Sequence, residues 1–502
     1  MNYQSLFDVV IGNLGYFQPE IILGGGFLLL LIIDLFLKKE QSPIIAFLSL
    51  IVLVFAFFAV NAQSGTEQSL FFRMYAVDSY SVFFKYIFLI SAAITILISL
   101  SSAELKKNNR RVGEYYIILV GLTFGMVLMS GATNLLMMFL AIELVSMASY
   151  VLVSFLKDDK KSNESGLKYI IYGAFSSGLM IYGMSLIYGA TGTLDIADIN
   201  RFLSANSVSP VLMTLSILLV LGGFGYKIAA VPFHFWSPDV YEGAPTPITA
   251  FLSVGPKAAG FALILRFFKG MFISHSIPDG FESLALVDWT AIIAAMAVLT
   301  MTVGNVSALW QTNVKRMFAY SSIAHAGYLL MGVLLLSDHG TAAVLFYLTY
   351  YMLMNLGAFF AIMLIANKTN SFELDDLRGM GMRAPILAIP LVVFLASLTG
   401  IPGTVGFAGK FMLFVAVLEK GNLYFWLAII AVINSAISAF YYFKIVKMMF
   451  LKKSTEDNPV EVTVSPFAAI LLILLTIPTI VLGLYWQPLY DFALASVRMI
   501  SM

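Results

Sequence analysis

Long hydrophobic stretches alternate with short polar connections along almost the whole chain. About fourteen of these stretches reach the roughly 20 residues that a helix needs to cross the hydrocarbon core of a bilayer. They lie at 18–37, 44–62, 79–101, 114–131, 133–156, 165–189, 211–235, 247–268, 288–309, 317–336, 341–366, 386–418, 423–447 and 464–486. The pattern predicts an all-α polytopic membrane protein with about 14 transmembrane helices.

Composition excludes a soluble fold. Of the 502 residues, 60% are hydrophobic and 11% are charged, whereas a globular domain carries roughly 25% charged residues. The mean hydropathy is +0.91. The net charge of +1 gives no argument for nucleic acid, and the absence of cysteine removes disulfides and cysteine-ligated clusters. The four histidines are too widely spread for a local metal motif, so we expect no metal or cofactor bound by this chain.

The basic residues alternate between the two faces of the membrane. Loops that follow odd-numbered stretches hold 18 lysines and arginines, and loops that follow even-numbered ones hold six. The six are Arg73, Arg201, Arg266, Lys269, Lys420 and Arg498. Because basic loops stay on the cytoplasmic side, this asymmetry predicts that both termini lie outside, which is the periplasm if the host is bacterial.

Five basic residues remain inside the hydrophobic stretches. They are Lys85, Lys168, Lys227, Lys257 and Lys410. Glu143 occupies the middle of the fifth stretch. A charge at the bilayer centre costs at least ~2.5–3.5 kcal/mol, and such a residue indicates a substrate or ion pathway by default.

These charges do not all carry the same interpretation. Lys85 lies near the end of its stretch, so we expect it to snorkel to the interface. Lys168 also lies near an end, but Glu164 precedes it by one helical turn and favours a functional role. Lys227, Lys257, Lys410 and Glu143 are each flanked by apolar residues. The alternative is a set of buried ion pairs that only fix helix packing.

Glycine and proline interrupt two of the stretches beside a lysine. Lys227 and Lys410 both end a Gly-Phe-x-x-Lys sequence in the seventh and twelfth stretches. Broken helices at matching positions are typical of inverted repeats in transporters. We therefore predict two inverted five-helix repeats, with broken helices 7 and 12. The predicted units are 1–113 (three leading spans), 114–270 (first repeat), 287–451 (second repeat) and 464–502 (the last span).

Buried lysine and glutamate are suited to proton exchange. A low-dielectric interior disfavours their charged forms, and a nearby opposite charge restores them. If Glu143 pairs with Lys227 in one state and separates in another, the lysine gives up its proton on separation. His325 lies among serines and tyrosines of the tenth stretch. It is either a proton relay or a helix-packing hydrogen-bond partner.

A long motif around Lys227 resembles a known family. Residues 225–247 read GYKIAAVPFHFWSPDVYEGAPTP and continue as ITAFLSVGPKAAGF to residue 261. This stretch is similar to the antiporter-like membrane subunits of bacterial NADH:quinone oxidoreductase (respiratory complex I), in particular the subunit N type. The sequence after Asp239 and the lysine at 410 both follow that type, whereas subunit M has glutamate at the position that corresponds to Lys410. The resemblance covers nearly the whole chain.

The resemblance implies a proton-translocating subunit in the membrane arm of complex I. Its proton path would comprise Glu143, Lys168, Lys227, Lys257 and Lys410, with Lys410 at the exit side. NADH, FMN, iron–sulfur clusters and quinone would be held by other subunits, with none of them bound by this chain. Expected neighbours are antiporter-like subunit M, the small subunit K and the lipid of the bacterial inner membrane.

Two alternatives remain open from the sequence. The first is a subunit of an Mrp-type sodium/proton antiporter complex, which has no redox partner. The second is a non-transporting scaffold whose buried ions are structural.

Overall fold

The computed structural model describes residues 3–107, 112–273, 288–419, 421, 424–453 and 463–499. Arg110, Arg111, His275 and Lys420, together with the predicted start of the second repeat at 287, lie outside these residues. Within the described part, the chain forms α-helices and one small hairpin. The helices are α1 Tyr3–Leu14, α2 Gln18–Phe36, α3 Ser42–Ala62, α4 Ser79–Ser99, α5 Ala103–Lys107, α6 Gly113–Gly131, α7 Leu135–Val153, α8 Lys160–Thr191, α9 Ile196–Ala205, α10 Pro210–Ile228, α11 Trp236–Gly243, α12 Thr246–Phe272, α13 Trp289–Leu309, α14 Val314–Leu335, α15 Asp338–Thr369, α16 Met380–Arg383, α17 Pro385–Thr399, α18 Val405–Glu419, α19 Phe425–Leu451, α20 Pro466–Leu484 and α21 Gln487–Ala495. The hairpin pairs β1 Gln68–Leu70 with β2 Tyr75–Val77 in antiparallel register.

The membrane-spanning architecture confirms the prediction from hydropathy. Thirteen helices in the described ranges are long and apolar enough to cross a membrane. The remaining predicted stretch, the twelfth, is divided into α17 and α18, each of 15 residues. Neither half is long enough to span alone, since about 20 residues are needed. The pair therefore acts as one interrupted span.

Both predicted helix breaks are present. Helix α10 ends at Ile228, where Ala229 adopts a left-handed φ of 57°, and α11 begins at Trp236. Between α17 and α18, Gly400 and Gly403 have φ values of 92° and 89°, a region that glycine enters without steric cost. In a membrane, such exposed backbone is tolerated only where protein or a cavity surrounds it. Each break lies beside a buried lysine, Lys227 at the first and Lys410 at the second, although Pro402 and Gly403 of the second are exposed on the isolated chain.

The two halves of the chain share several local features. Helices α8 and α15 are each 32 residues long. The helices before them begin at asparagine N-caps, Asn134 and Asn313, whose side chains accept hydrogen bonds from the first turn. Each asparagine also forms an isolated antiparallel bridge to the segment that follows the long helix, Asn134 to Asp195 and Asn313 to Glu373.

Helices α12, α14 and α15 form the centre of the bundle, and α2, α3, α19 and α20 lie at its periphery. Nearly all residues of α12 and α14 are buried. Only about a third of the most apolar part of each peripheral helix is buried. The remaining apolar side chains on those helices face outward, as expected of surfaces in contact with lipid or neighbouring membrane subunits.

Two buried ion pairs involve the leading helices, one within them and one to the central helix α12, and both correct an expectation from the sequence. Lys85 does not snorkel, because its Nζ lies 2.6 Å from Glu20 Oε1 and both side chains are fully buried. Arg266 does not face the outer side. It is fully buried in α12 and donates two hydrogen bonds of 2.9 Å to Asp78, the N-cap of α4. In each case a carboxylate on another helix replaces the water that the cation would otherwise seek.

Candidate functional site

The first half of the chain places Glu143 at the side of the bundle. Glu143 lies in the middle of α7, and its side chain is half-buried. The hydroxyl of Ser177 on α8 donates a hydrogen bond to Glu143 Oε1. The carboxylate is therefore held between α7 and α8 and still reaches the surface of the isolated chain.

Lys227 lies deeper than Glu143, in the last turn of α10. Its ammonium donates a hydrogen bond of 3.2 Å to Ser146 Oγ, which lies one turn after Glu143 on α7. Among the described residues no ion pair joins Lys227 to Glu143, and Ser146 stands between them. The sequence-based pairing of these two charges in one state of the protein therefore stays a prediction.

A glycine brings Lys227 close to the central helix. A Cβ added at Gly260 on α12 would lie 3.5 Å from Lys227 Cγ and 2.7 Å from Ile228 Cγ2. Gly260 follows Lys257 by three residues, which is less than one helical turn. The missing side chain at 260 therefore lets the stem of Lys227 pack beside the helix that carries the next lysine.

Lys257 points from α12 towards α14. Its fully buried ammonium donates hydrogen bonds of 2.5 Å to both the carbonyl oxygen and the hydroxyl of Ser322. The ring centroid of Tyr351 on α15 lies 6.0 Å from its Nζ. Next to it, Asn355 donates a hydrogen bond of 2.5 Å to Ser253 on α12. Lys257 is thus solvated by oxygen atoms and an aromatic face instead of by a carboxylate.

One face of α14 continues the polar line. Ser322, His325 and Tyr328 follow at intervals of three, and side chains at this spacing share a helix face. His325 Nδ1 lies 2.5 Å from the hydroxyl of Tyr347, and its Nε2 lies 3.3 Å from the hydroxyl of Tyr442 on α19. Imidazole and phenol groups both donate and accept hydrogen bonds. The face is therefore chemically able to relay a proton.

Lys410 ends this line at the second broken helix. Its ammonium donates hydrogen bonds to the carbonyl oxygens of Leu398 at 3.0 Å and Thr399 at 2.9 Å, and to Ser435 Oγ at 3.0 Å. It also lies 4.8 Å from the ring centroid of Tyr328. The two carbonyls belong to the C-terminal end of α17, where the helix dipole carries partial negative charge. The break in the helix therefore supplies the counter-charge for Lys410.

Lys168 belongs to a different environment. It lies in the early turns of α8, partly exposed, with its Nζ 2.7 Å from Glu164 Oε1 and 2.6 Å from Asp239 Oδ2. Asp239, on α11 outside the thirteen spans, also accepts a hydrogen bond of 2.6 Å from Arg316. Partial burial alone would raise the pKa of Asp239, but the hydrogen bonds from Lys168 and Arg316 outweigh it and hold that pKa below its usual value. The structure does not bring Lys168 into hydrogen-bond contact with the other candidate lysines.

Several residues of the site were missed by the sequence reasoning. Ser146 and Ser177 were not singled out, although Ser146 lies one turn from Glu143 and its position was readable from helical spacing. Lys315 was assigned to a loop, but it is buried in the first turn of α14 and donates a hydrogen bond of 2.6 Å to the carbonyl oxygen of Ala244. In the described part of the chain, no group of three or more His, Cys, Asp or Glu side chains could hold a metal ion.

This architecture defines a class of protein: a many-spanning membrane protein with two broken helices and buried titratable side chains along its interior. More specifically, the chain belongs to the family described as NADH:quinone oxidoreductase/Mrp antiporter, transmembrane, which matches residues 132–438. Both broken helices and all six candidate residues lie within that range.

Comparison with relatives and solved structures shows which members of this family the chain is similar to. The chain is 49% identical over 502 residues to NADH-quinone oxidoreductase subunit N 2 of Chloroherpeton thalassium, covering 99% of this chain and 97% of that protein. Its fold is similar to a chain of respiratory complex I from Thermus thermophilus with bound aureothin, with a TM-score of 0.77 and 29% identity over 94% of this chain and 98% of that one.

A chain of the Mrp complex from Dietzia sp. shares the fold, with a TM-score of 0.81 but only 20% identity, over 97% of this chain and 98% of that one. The fold alone therefore does not separate the two kinds of complex, whereas the sequence identity does.

Proposed function

We propose that this chain is a proton-translocating membrane subunit of NADH:quinone oxidoreductase. One observation carries the proposal, namely the interior line of titratable and hydroxyl-bearing side chains between Lys227 and Lys410. Oxidation of NADH and reduction of quinone by other subunits would supply the energy. The 49% identity to a subunit N protein over nearly the full length supports the assignment to this complex.

In the proposed mechanism, Glu143 controls the charge of Lys227. Ser146 holds the ammonium of Lys227 one helical turn from the carboxylate. Movement of Lys227 towards Glu143 would stabilise the bound proton, and movement away would release it into the line. Lys257 would receive the proton, because Lys227 packs beside Gly260, three residues after Lys257 on α12.

The second half of the path leads from Lys257 to Lys410. Ser322 contacts Lys257, His325 lies one turn further along α14, and Tyr328 faces Lys410. The hydroxyl of Tyr347 lies within hydrogen-bond distance of His325 and extends the relay to α15. Lys410 would release the proton on the exit side.

Lys168 would act at the edge of this path. Its contacts with Glu164 and Asp239 place it where α8 meets α11, close to the first broken helix. In that position it would stabilise α11 or exchange protons with the adjacent aqueous side.

The chain would be organised as two inverted five-helix repeats, 114–270 and 287–451, with 1–113 and 464–502 as additions. Support comes from the two helix breaks, the two 32-residue helices and the matching asparagine bridges.

The redox cofactors, their substrates and the neighbouring subunits would belong to the rest of the complex. FMN, iron–sulfur clusters, NADH and quinone would bind to other subunits, and subunits M and K would be neighbours within the bacterial inner membrane. From the distribution of basic residues, we place both termini in the periplasm.

The test is a pair of substitutions in the complete complex, Glu143→Gln and Lys227→Met, reconstituted into proteoliposomes. Both are expected to lower the number of protons moved per NADH oxidised, while native electrophoresis shows normal assembly. Lys452→Met, an exposed lysine beyond the end of α19, is the matched control and is expected to behave as the wild type. Wild-type proton movement by either test variant would contradict the proposal.

An Mrp-type antiporter subunit is the second candidate, since the description of the matching family includes both kinds of complex. Blue-native electrophoresis of the host membranes separates the two. Migration of this chain with NADH dehydrogenase activity supports the first function, and migration without it supports the second.

A further inference from the structure

A groove on the outer face of the second half combines apolar walls with two basic side chains. It is an open cavity of about 720 Å³ between α13 and α19. Apolar side chains form its walls, among them Leu309, Phe440, Phe443 and Val446. Lys444 and Lys447, one helical turn apart on α19, also line it, between Phe440 and Leu451 along the helix. The shape and polarity match an amphiphile with an acyl chain and an acidic head.

The positive charge of Lys444 and Lys447 is not balanced by other residues that line the groove. No aspartate or glutamate is among the described residues that line it, and no ion pair of a described residue involves Lys444 or Lys447. Lys444 donates one hydrogen bond of 3.3 Å to the backbone carbonyl of Gln311, which fixes its side chain near the end of α13. Two lysines so placed attract a phosphate group.

The groove also lies at the right depth in the bilayer. Trp310, directly after α13, is 82% exposed, and exposed tryptophans are typical of the membrane–water interface. The lysines lie at the same end of α19 as Lys452, where the chain leaves the apolar helix. Basic groups at an interfacial end of an apolar groove are a typical site for acidic lipid head groups.

We propose that this groove binds an anionic phospholipid, whose phosphate contacts Lys444 and Lys447 and whose acyl chain lies along Phe440 and Leu309. Helix α19 also carries Ser435, which contacts Lys410, and Tyr442, which contacts His325. Occupancy of the groove therefore stabilises the helix that completes the second half of the path. This functional consequence rests on the proposed function, whereas lipid binding itself does not.

The test replaces Phe440, whose ring is 72% exposed, by a photo-reactive analogue in the complete complex. The complex is placed in nanodiscs of phosphatidylethanolamine with a minor fraction of phosphatidylglycerol, illuminated and digested for mass spectrometry. We expect an adduct of phosphatidylglycerol far above its share of the lipid. An adduct with another protein subunit, or with the two lipids in proportion to their abundance, would overturn the proposal.

Two double variants locate the head group. Lys444→Gln with Lys447→Gln is expected to lower the phosphatidylglycerol adduct roughly tenfold or more, since each lysine at a membrane surface contributes about a factor of five. Lys452→Gln with Lys453→Gln removes the same charge from the same end of α19 outside the groove lining, and is expected to leave the adduct unchanged. Equal losses of the adduct in both double variants would show that surface charge in general attracts the lipid, and would contradict a specific site in the groove.

A second readout separates the lipid site from the proton path. Proteoliposomes with phosphatidylglycerol are expected to raise the protons moved per NADH by the wild type but not by the Lys444→Gln, Lys447→Gln variant. Lipid capture without any proton movement in the wild type would contradict the proposed function and leave the lipid site supported.

Discussion

The two broken helices hold their lysines in opposite ways. Lys227, at the C-terminal end of α10 beside the first break, makes one hydrogen bond with described residues, to a serine 3.2 Å away. Lys410, in the second half-helix α18, is held by two backbone carbonyls, a hydroxyl and an aromatic face. The first lysine is loosely held near a carboxylate, and the second is tightly held without one.

The same contrast extends to the helices beside them. Glu143 and Ser322 each lie nine residues after the N-cap asparagine of their helix, Asn134 or Asn313. The first half thus has a carboxylate where the second half has a hydroxyl. A loosely held lysine near a charge suits a group that changes its protonation state, and a fully solvated lysine suits a fixed acceptor. Under the proposed function, this difference would place control in the first half and conduction in the second.

The largest effect is expected from Lys410→Met, which removes the acceptor of the second half. Because a positioned acid–base group contributes roughly 10²–10⁴-fold to a proton transfer, we expect proton movement through this subunit to fall at least about a hundredfold. The measurement is protons moved per NADH in proteoliposomes, with assembly checked by native electrophoresis. Full stoichiometry in a normally assembled complex would favour the scaffold alternative.

A smaller and more discriminating effect is expected from two serine substitutions. Ser146→Ala removes the one hydrogen bond of Lys227 with described residues, and a bond to a charged group contributes about 1.5–3 kcal/mol. We expect a roughly tenfold slower proton transfer. Ser435→Ala removes one of three hydrogen bonds of Lys410, and we expect less than about a threefold change. Equal effects would show that the two lysines are held alike.

A third substitution tests the contact between α10 and α12. Gly260→Ala places a Cβ 2.7 Å from Ile228 Cγ2, and overpacking of this kind costs about 1–3 kcal/mol. We expect a lower melting temperature of the purified complex and slower transfer from Lys227. Gly178→Ala on α8 is the control, because its Cβ would meet nothing within 4 Å. A Gly260→Ala complex as stable as the control would contradict the close approach.

The smallest effect concerns the ion pairs around α11. Since the pKa of Asp239 is held below its usual value, its stabilising contribution is complete above about pH 4 and is lost as the pH falls through the lower folded value. The melting-temperature difference between wild type and Asp239→Asn should therefore be the same at pH 8 and pH 5.5 and shrink below about pH 4. We expect less than about 1 kcal/mol, since these groups are partly exposed. A difference that disappears near neutral pH would exclude this carboxylate as its source.

The spans and both breaks could be predicted because each depends on residues close together in sequence. Hydropathy over about 20 residues identifies a span, and Gly and Pro beside Lys227 and Lys410 identify the interruptions. The prediction for Lys85 was wrong for the opposite reason. Its partner Glu20 lies on another helix, and position within a span says nothing about which charge lies across the interface.

The residues of the candidate site could also be predicted from the sequence only in part. Lys257 was recognised from its apolar neighbours and His325 from the serines and tyrosines around it, yet their connection through Ser322 depends on how α12 packs against α14. Likewise, the carbonyl oxygens that hold Lys410 belong to backbone, which carries no sequence signal. The sequence therefore identified the titratable groups, but their hydrogen-bond partners required the three-dimensional packing.

The buried pair of Asp78 and Arg266 has a consequence for how this protein is made. The two residues are 188 positions apart, so at 5–20 residues per second the ribosome needs roughly 10–40 s to produce the arginine after the aspartate. During that interval α4 is already made, but the guanidinium of Arg266 that pairs with the carboxylate of Asp78 is not. The contact between the start of α4 and α12 can therefore form only after both helices have been made.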